Sequence, residues 1–145
     1  MTMFRFAMPW RGAALAALAL AFAAPAAARP GAAPAMLSID DGAPVRVASP
    51  AAVRRALRRC ARPNGCASVM LETCDRCILS AQAGGAGFAI RSRLGPPGPE
   101  YDLFDRRPGR ARTRVFASAD LIEIFADYLA GRRTAYVGTV EADEQ

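Results

Sequence analysis

The chain has 145 residues, with 19 cationic and 13 acidic side chains, no His and a formal net charge of +6. At this length one domain is expected rather than two. Without His, a Ser-His-Asp triad, a Cys-His pair and an HExxH zinc site are excluded.

Apolar residues make up 52% of the chain and crowd into its start. Residues 1–28 have the three parts of a secretory signal peptide. Arg5 and Arg11 form a positive region, and Gly12 to Ala24 is an uncharged run rich in Ala and Leu. Pro25 breaks the run, and Ala26, Ala27 and Ala28 offer small residues for cleavage. The run is short for a bilayer span, so cleavage after Ala28 is expected, with Ala35 as the alternative; the competing reading is an uncleaved anchor. No Cys follows the run closely, and the two Arg are isolated, so neither a lipoprotein nor twin-Arg export is expected. Setting residues 1–28 aside lowers the net charge to +4. All cations in the chain are Arg. A Sec-type signal in front of such a domain places the protein in a bacterial periplasm or outside the cell, with no stable membrane span after cleavage.

Residues 29–35 read as a flexible Pro/Gly/Ala linker, 36–141 as a single small domain and 142–145 as an acidic tail. Leu37–Ile39 and Val45–Val47 alternate around Asp40-Asp41-Gly42 and predict a short hairpin. Ser49-Pro50 predicts a helix start, with Ser as N-cap and Pro at the first helical position. Val53, Ala56, Leu57 and Cys60 then fall on one helical face, and Pro63-Asn64-Gly65 ends the segment. Val69–Leu71 and Cys77–Leu79 are strand-like runs. Gly84-Gly85 turns the chain into a third strand carrying Phe88, Ile90 and Leu94. Tyr101–Phe104 predicts a returning strand, and residues 106–112 a basic loop centred on Pro108-Gly109. Ser118 is expected as the N-cap of a second helix, with Asp120 in its first turn. Leu121, Ile122, Ile124, Phe125, Tyr128 and Leu129 form its apolar stripe. Gly131 stands where the helix should stop, beside Arg132 and Arg133. Residues 135–140 predict a last strand. The order implies an α+β fold: an antiparallel sheet of about five to seven short strands with two helices packed on one face.

Cys60, Cys66, Cys74 and Cys77 lie close together, and an even Cys count in an exported small domain reads as a disulfide framework. Of the three pairings, Cys60 with Cys66 and Cys74 with Cys77 is favoured. Residues opposed across a hairpin lie within disulfide reach, and such short loops are worth about 2 kcal/mol each at most. Two other readings use the same residues. Cys74-Asp75-Arg76-Cys77 has the C-x-x-C form of a thiol-disulfide oxidoreductase, but lacks the following helix that would lower the thiol pKa. A four-thiolate zinc site has only one pair at the usual spacing. No cofactor and no metal are expected.

Arg54, Arg55, Arg58, Arg59 and Arg62 share the polar face of the first helix. They form either a solvated surface or a basic contact face for an anionic partner surface. Nucleic acid is not an expected partner of an exported protein. The carboxylates do not fall in apolar settings that would raise a pKa for acid catalysis.

Phe88–Arg91, then Tyr101–Phe104, then the run from Asp120 to Gly131, resemble a pattern in small α+β immunity-type domains of bacterial polymorphic toxin systems. There a hairpin precedes a late amphipathic helix and a terminal strand. The resemblance spans about 50 residues and implies a non-enzymatic domain that blocks a protein partner.

The expected function is therefore that of an exported, disulfide-stapled, non-enzymatic binding domain acting by protein–protein contact in the cell envelope. The alternatives are a thiol-disulfide oxidoreductase using Cys74 and Cys77, or a basic module on anionic surfaces. Trp10 is the only Trp. Protein recovered after export should therefore show tyrosine but no tryptophan fluorescence; a tryptophan emission band would mean that the leader is retained.

Overall fold

Period-two alternation in the middle of the chain and 3.6-period stripes at two places build a sheet with helices on one side. In the computed structural model, residues 34–74, 77–93, 98–110 and 112–142 are described. The leader over 1–28, nearly all of the linker, the Asp75-Arg76 turn, Leu94 and the end of the acidic tail lie outside the described residues. The elements in order are β1 (Met36–Ile39), β2 (Val45–Arg46), α1 (Pro50–Leu57) continued by a 3₁₀ turn (Arg58–Ala61), β3 (Ser68–Cys74) and β4 (Cys77–Gly84). There follow β5 (Gly87–Arg93), β6 (Glu100–Asp105), β7 (Val115–Phe116), α2 (Ser118–Leu129) and β8 (Val137–Glu141).

The strands form one antiparallel sheet in the order β2-β1-β3-β4-β5-β6-β8. This is the α+β fold expected, with eight strands among the described residues in place of five to seven. The addition is β7. It pairs with β5 through Phe88–Phe116 and Ala89–Val115, while β6 takes β5 further along, from Arg91 to Arg93. A strand of two residues has no alternation to betray it, and only the stretch of β5 left open by β6 gives it a partner. Phe116 is fully buried, so this small strand delivers a large apolar side chain to the core. Gly87 makes room for it: a Cβ there would stand 2.2 Å from the Phe116 carbonyl oxygen.

One face of the sheet carries the core. Leu37, Val69, Leu71, Leu79, Ala81, Phe88, Ile90, Leu103 and Val137 are buried there, and the register places Leu71 opposite Leu79 and Ala81 opposite Ile90. The helices cover that face with Val53 and Leu57 from α1 and Leu121, Ile124, Phe125 and Ala126 from α2. They also pack on each other, and Arg54 of α1 reaches Glu123 of α2 at 2.7 Å. The opposite face has alternating charges instead of a second layer. Arg91 and Arg114 both bond Asp102, at 2.8 and 3.0 Å, and Arg93 bonds Glu100.

Helix ends follow their local chemistry with one correction. Ser49 caps α1 as expected, its Oγ accepting from the Ala52 N–H at 3.2 Å, with Pro50 first in the helix. For α2 the cap is Ala117, without a side-chain bond, and Ser118 is already helical. The third helical residue, Asp120, compensates by accepting a hydrogen bond from the Ala117 N–H, half of a capping box. At the other end Gly131 has φ +69°, the Gly131 N–H donates to Tyr128 and the Arg132 N–H to Asp127. That is a Schellman stop, in which the left-handed residue is cheapest as Gly.

Gly87→Ala should lower the urea-unfolding free energy by about 1–3 kcal/mol, because the new methyl meets backbone rather than a movable side chain. Gly84→Ala at the other side of the same hairpin meets nothing within 4 Å and should unfold like the parent.

Candidate functional site

The basic helix face divides in two. Arg54 is committed to Glu123, and Arg59 lies 3.4 Å from Asp40. Arg55, Arg58 and Arg62 are exposed and form no ion pair among the described residues, but they do not share one helix as expected: the α-helix stops at Leu57, Arg58 and Arg59 lie in the 3₁₀ turn, and Arg62 follows it in extended backbone. Asp40 itself anchors the β1–β2 turn: its Oδ1 accepts from the Ala67 and Ser68 N–H groups at 2.5 and 3.1 Å. Those two bonds hold its carboxyl below the usual value, with Arg59 adding to them.

The four Cys stand in two bonded pairs, Cys60 with Cys66 and Cys74 with Cys77, each with 4.9 Å between Cα atoms. Cys60 is buried at the end of the 3₁₀ turn, so the first pair ties the base of the basic helix to the approach of β3. The second faces across the β3–β4 hairpin, Cys74 opposite Cys77. The C-x-x-C motif therefore spans two strands and does not open a helix. Among the described residues, no group of three or more His, Cys, Asp or Glu is placed to hold a metal ion.

The basic loop contains a side chain whose role the sequence does not disclose. Arg107 lies between two buried carboxylates. Its Nη2 is 2.6 Å from Asp105 and 2.8 Å from Asp120, and its Nε and backbone N–H also donate to Asp105. The Tyr136 hydroxyl donates to Asp120 at 3.0 Å, and the guanidinium carbon sits 4.2 Å from the Tyr136 ring centroid. Asp105 is 1% exposed. Arg107 is the main reason its carboxyl is held below the ordinary 3.8. For Asp120 burial is the largest influence and pushes upward, but the bonds from Arg107 and Tyr136 outweigh it and the net shift is down. Both groups are thus stable anions, the reverse of what a catalytic acid needs. The basic loop is tied down at two points, while Arg106, Arg110 and Arg112 stay exposed without an ion pair among the described residues. Arg107 holds the inner side, Arg114 pairs with Asp102, and the Asp105 N–H donates to Thr113. Asp105 could have been noticed in the sequence as the continuation of the Leu103 alternation, but nothing there pairs it with Asp120.

The sequence matches no family model, and neither the curated proteins nor the solved structures contain a match to the chain.

The ionisations fix the pH response. A carboxyl with a depressed folded pKa contributes stability above its unfolded value, and that contribution is lost as pH falls through the folded value. Asp105, Asp120, Glu123 and Asp127 all behave so. Tyr136 is pushed up from 10.0 to about 12, by burial first and by Asp120 second. Its contribution is complete below pH 10 and lost as pH rises from there to about 12. Urea midpoints should therefore show a plateau between about pH 5 and pH 9 with an acid and an alkaline limb. Asp120→Asn should shrink the acid limb and Tyr136→Phe the alkaline one. Asp105→Asn should lower stability at pH 7 by about 2 kcal/mol, the order of cost for disturbing a buried charged hydrogen-bond set.

Proposed function

We propose that the protein is an exported, non-enzymatic binding domain of the bacterial cell envelope, acting by contact with a protein partner through the free part of its basic helix face. The observation that carries this reading is the pair of short-range disulfides. Such bonds persist in oxidising compartments, and the Cys60–Cys66 bond closes the segment after α1 that carries Arg58 and Arg62, next to Arg55 at the helix end. A contact face held rigid before binding loses less conformational entropy on association. Its uncompensated cations favour a partner with an acidic patch, and such charge complementarity speeds encounter and selects partners. The hairpin, late helix and terminal strand that resemble immunity-type domains fit the same reading, in which the domain blocks a partner. No helix among the described residues is long and apolar enough to cross a membrane.

The test is capture from the envelope fraction with the oxidised protein, alongside a variant carrying Arg55→Glu, Arg58→Glu and Arg62→Glu. A partner retained by the parent, lost by the variant and released by moderate salt supports the proposal. A partner held equally by both would remove the helix face from the function. Turnover of a disulfide substrate by the parent would replace the binding reading with a redox one.

A further inference from the structure

The two disulfides differ in what surrounds them. Cys60 is 1% exposed and Cys66 7%, so the first bond is closed to a reagent in solution. Cys74 is exposed and Cys77 half-buried. The second bond therefore stands at the surface, at the turn end of the β3–β4 hairpin. Thiol–disulfide exchange needs a thiolate to reach a sulfur, so access decides which bond reacts in the folded state.

The hairpin also has support that does not depend on this bond. From Ser68 opposite Gln82 to Glu72 opposite Ile78 the ladder is regular, and Leu71 and Leu79 within it are buried. The register shifts only after Glu72, which leaves Cys74 and Cys77 beyond the regular stretch. The first bond has no such ladder around it. Cys60 sits in the 3₁₀ turn, Cys66 in the chain leading to β3, and both belong to the core. On its inner side Cys77 lines a cavity of about 370 Å³ beneath the last turn of α2. Arg133, exposed and without an ion pair among the described residues, lines the same cavity. A thiolate leaving into a space shared with a guanidinium is stabilised as it forms.

We infer that Cys74–Cys77 is a thiol–disulfide exchange site, open to dithiol proteins while the domain stays folded, and that Cys60–Cys66 is a fixed structural bond. The incoming thiolate attacks the Cys74 sulfur. The Cys74–Cys77 bond breaks, and Cys77 leaves as a thiolate that takes a proton from water. The second thiol of the dithiol gives up its proton and attacks its own partner sulfur in the mixed disulfide. Cys74 is released as a thiolate and is protonated in turn. Two electrons and two protons pass to the pair, and the dithiol becomes a disulfide. The ladder keeps the two thiols near each other, so an oxidised protein of the same class reverses the reaction. The site stands at the far end of β3 from Arg58 and Arg62, and its failure would leave the proposed protein contact untouched.

Dithiothreitol is the first probe, added to the oxidised protein without denaturant, with alkylation at timed intervals and peptide mass mapping. Cys74 and Cys77 are expected to be alkylated first, with the circular dichroism unchanged. Cys60 and Cys66 should follow about a hundredfold more slowly, because their access tracks rare opening of the fold. Reduced thioredoxin in place of dithiothreitol should open the same pair, which tests access for a protein. The direction of attack is read from two variants offered glutathione disulfide: Cys77→Ser should be captured at Cys74 severalfold faster than Cys74→Ser is captured at Cys77. Four thiols rising together, Cys60 and Cys66 appearing first, or a Cys74–Cys77 bond that resists either reductant in the folded protein overturns the inference. Faster capture at Cys77 overturns the attack at Cys74.

Discussion

Arg107 between Asp105 and Asp120 is the interaction on which the second half of the domain depends. Two carboxylates brought to one place repel each other and resist burial. Here a single guanidinium bonds both in a fork that a Lys ammonium does not reproduce. The Tyr136 hydroxyl satisfies a further oxygen of Asp120, and the Tyr136 ring lies against the cation. The four residues come from the end of β6, the basic loop, the first turn of α2 and the entrance to β8. One cluster thereby sets the path of the loop, the start of the helix and the position of the last strand. Arg107 keeps about a third of its side chain in water, which limits the desolvation cost that makes fully buried ion pairs poor stabilisers.

The rest of the fold is arranged around that pinned corner. Both helices lie on the apolar face of the sheet and bury its Leu, Ile, Val and Phe residues, the main source of stability in a domain of this size. The other face is left to charge pairs such as Arg91–Asp102, which keep an open sheet surface polar and guard it against edge or face association. The disulfides act locally. Each closes a few residues, so they hold a helix end and a hairpin end in place more than they knit distant parts together.

The consequence for function is a division of surfaces. The carboxylates of residues 100–120 are consumed by Arg91, Arg93, Arg107 and Arg114. What remains free includes Arg55 on α1 with Arg58 and Arg62 just after it, and Arg106, Arg110 and Arg112 in the basic loop, all exposed and without an ion pair among the described residues. The proposed contact rests on the first three, because a group already paired within the fold has little left to offer a partner. The proposed exchange rests on a bond that the fold leaves at its surface.

Local patterns carried much of this protein. Ser49-Pro50 marked the first helix because its cap is made by adjacent residues. Alternation marked β1, β2 and β5, and short runs between turns marked β3, β4, β6 and β8; all of these but β2, whose two residues are exposed, set one face against the core. The Cys spacing favoured the pairs seen at bonding distance because both close within a hairpin or turn. Gly131 marked the end of α2 because a left-handed residue there is cheapest as Gly. Tertiary structure alone decided the remainder. Phe116 belongs to a strand only because β5 has a free stretch beside Gly87. Ser118 yields the capping role because Asp120 reaches back to Ala117. Arg107 is a structural residue only because folding brings Asp105 and Asp120 to either side of it. Sequence shows what a residue does with its neighbours in the chain; pairings between distant charges, and the space left beneath a helix end, exist only once the elements have packed.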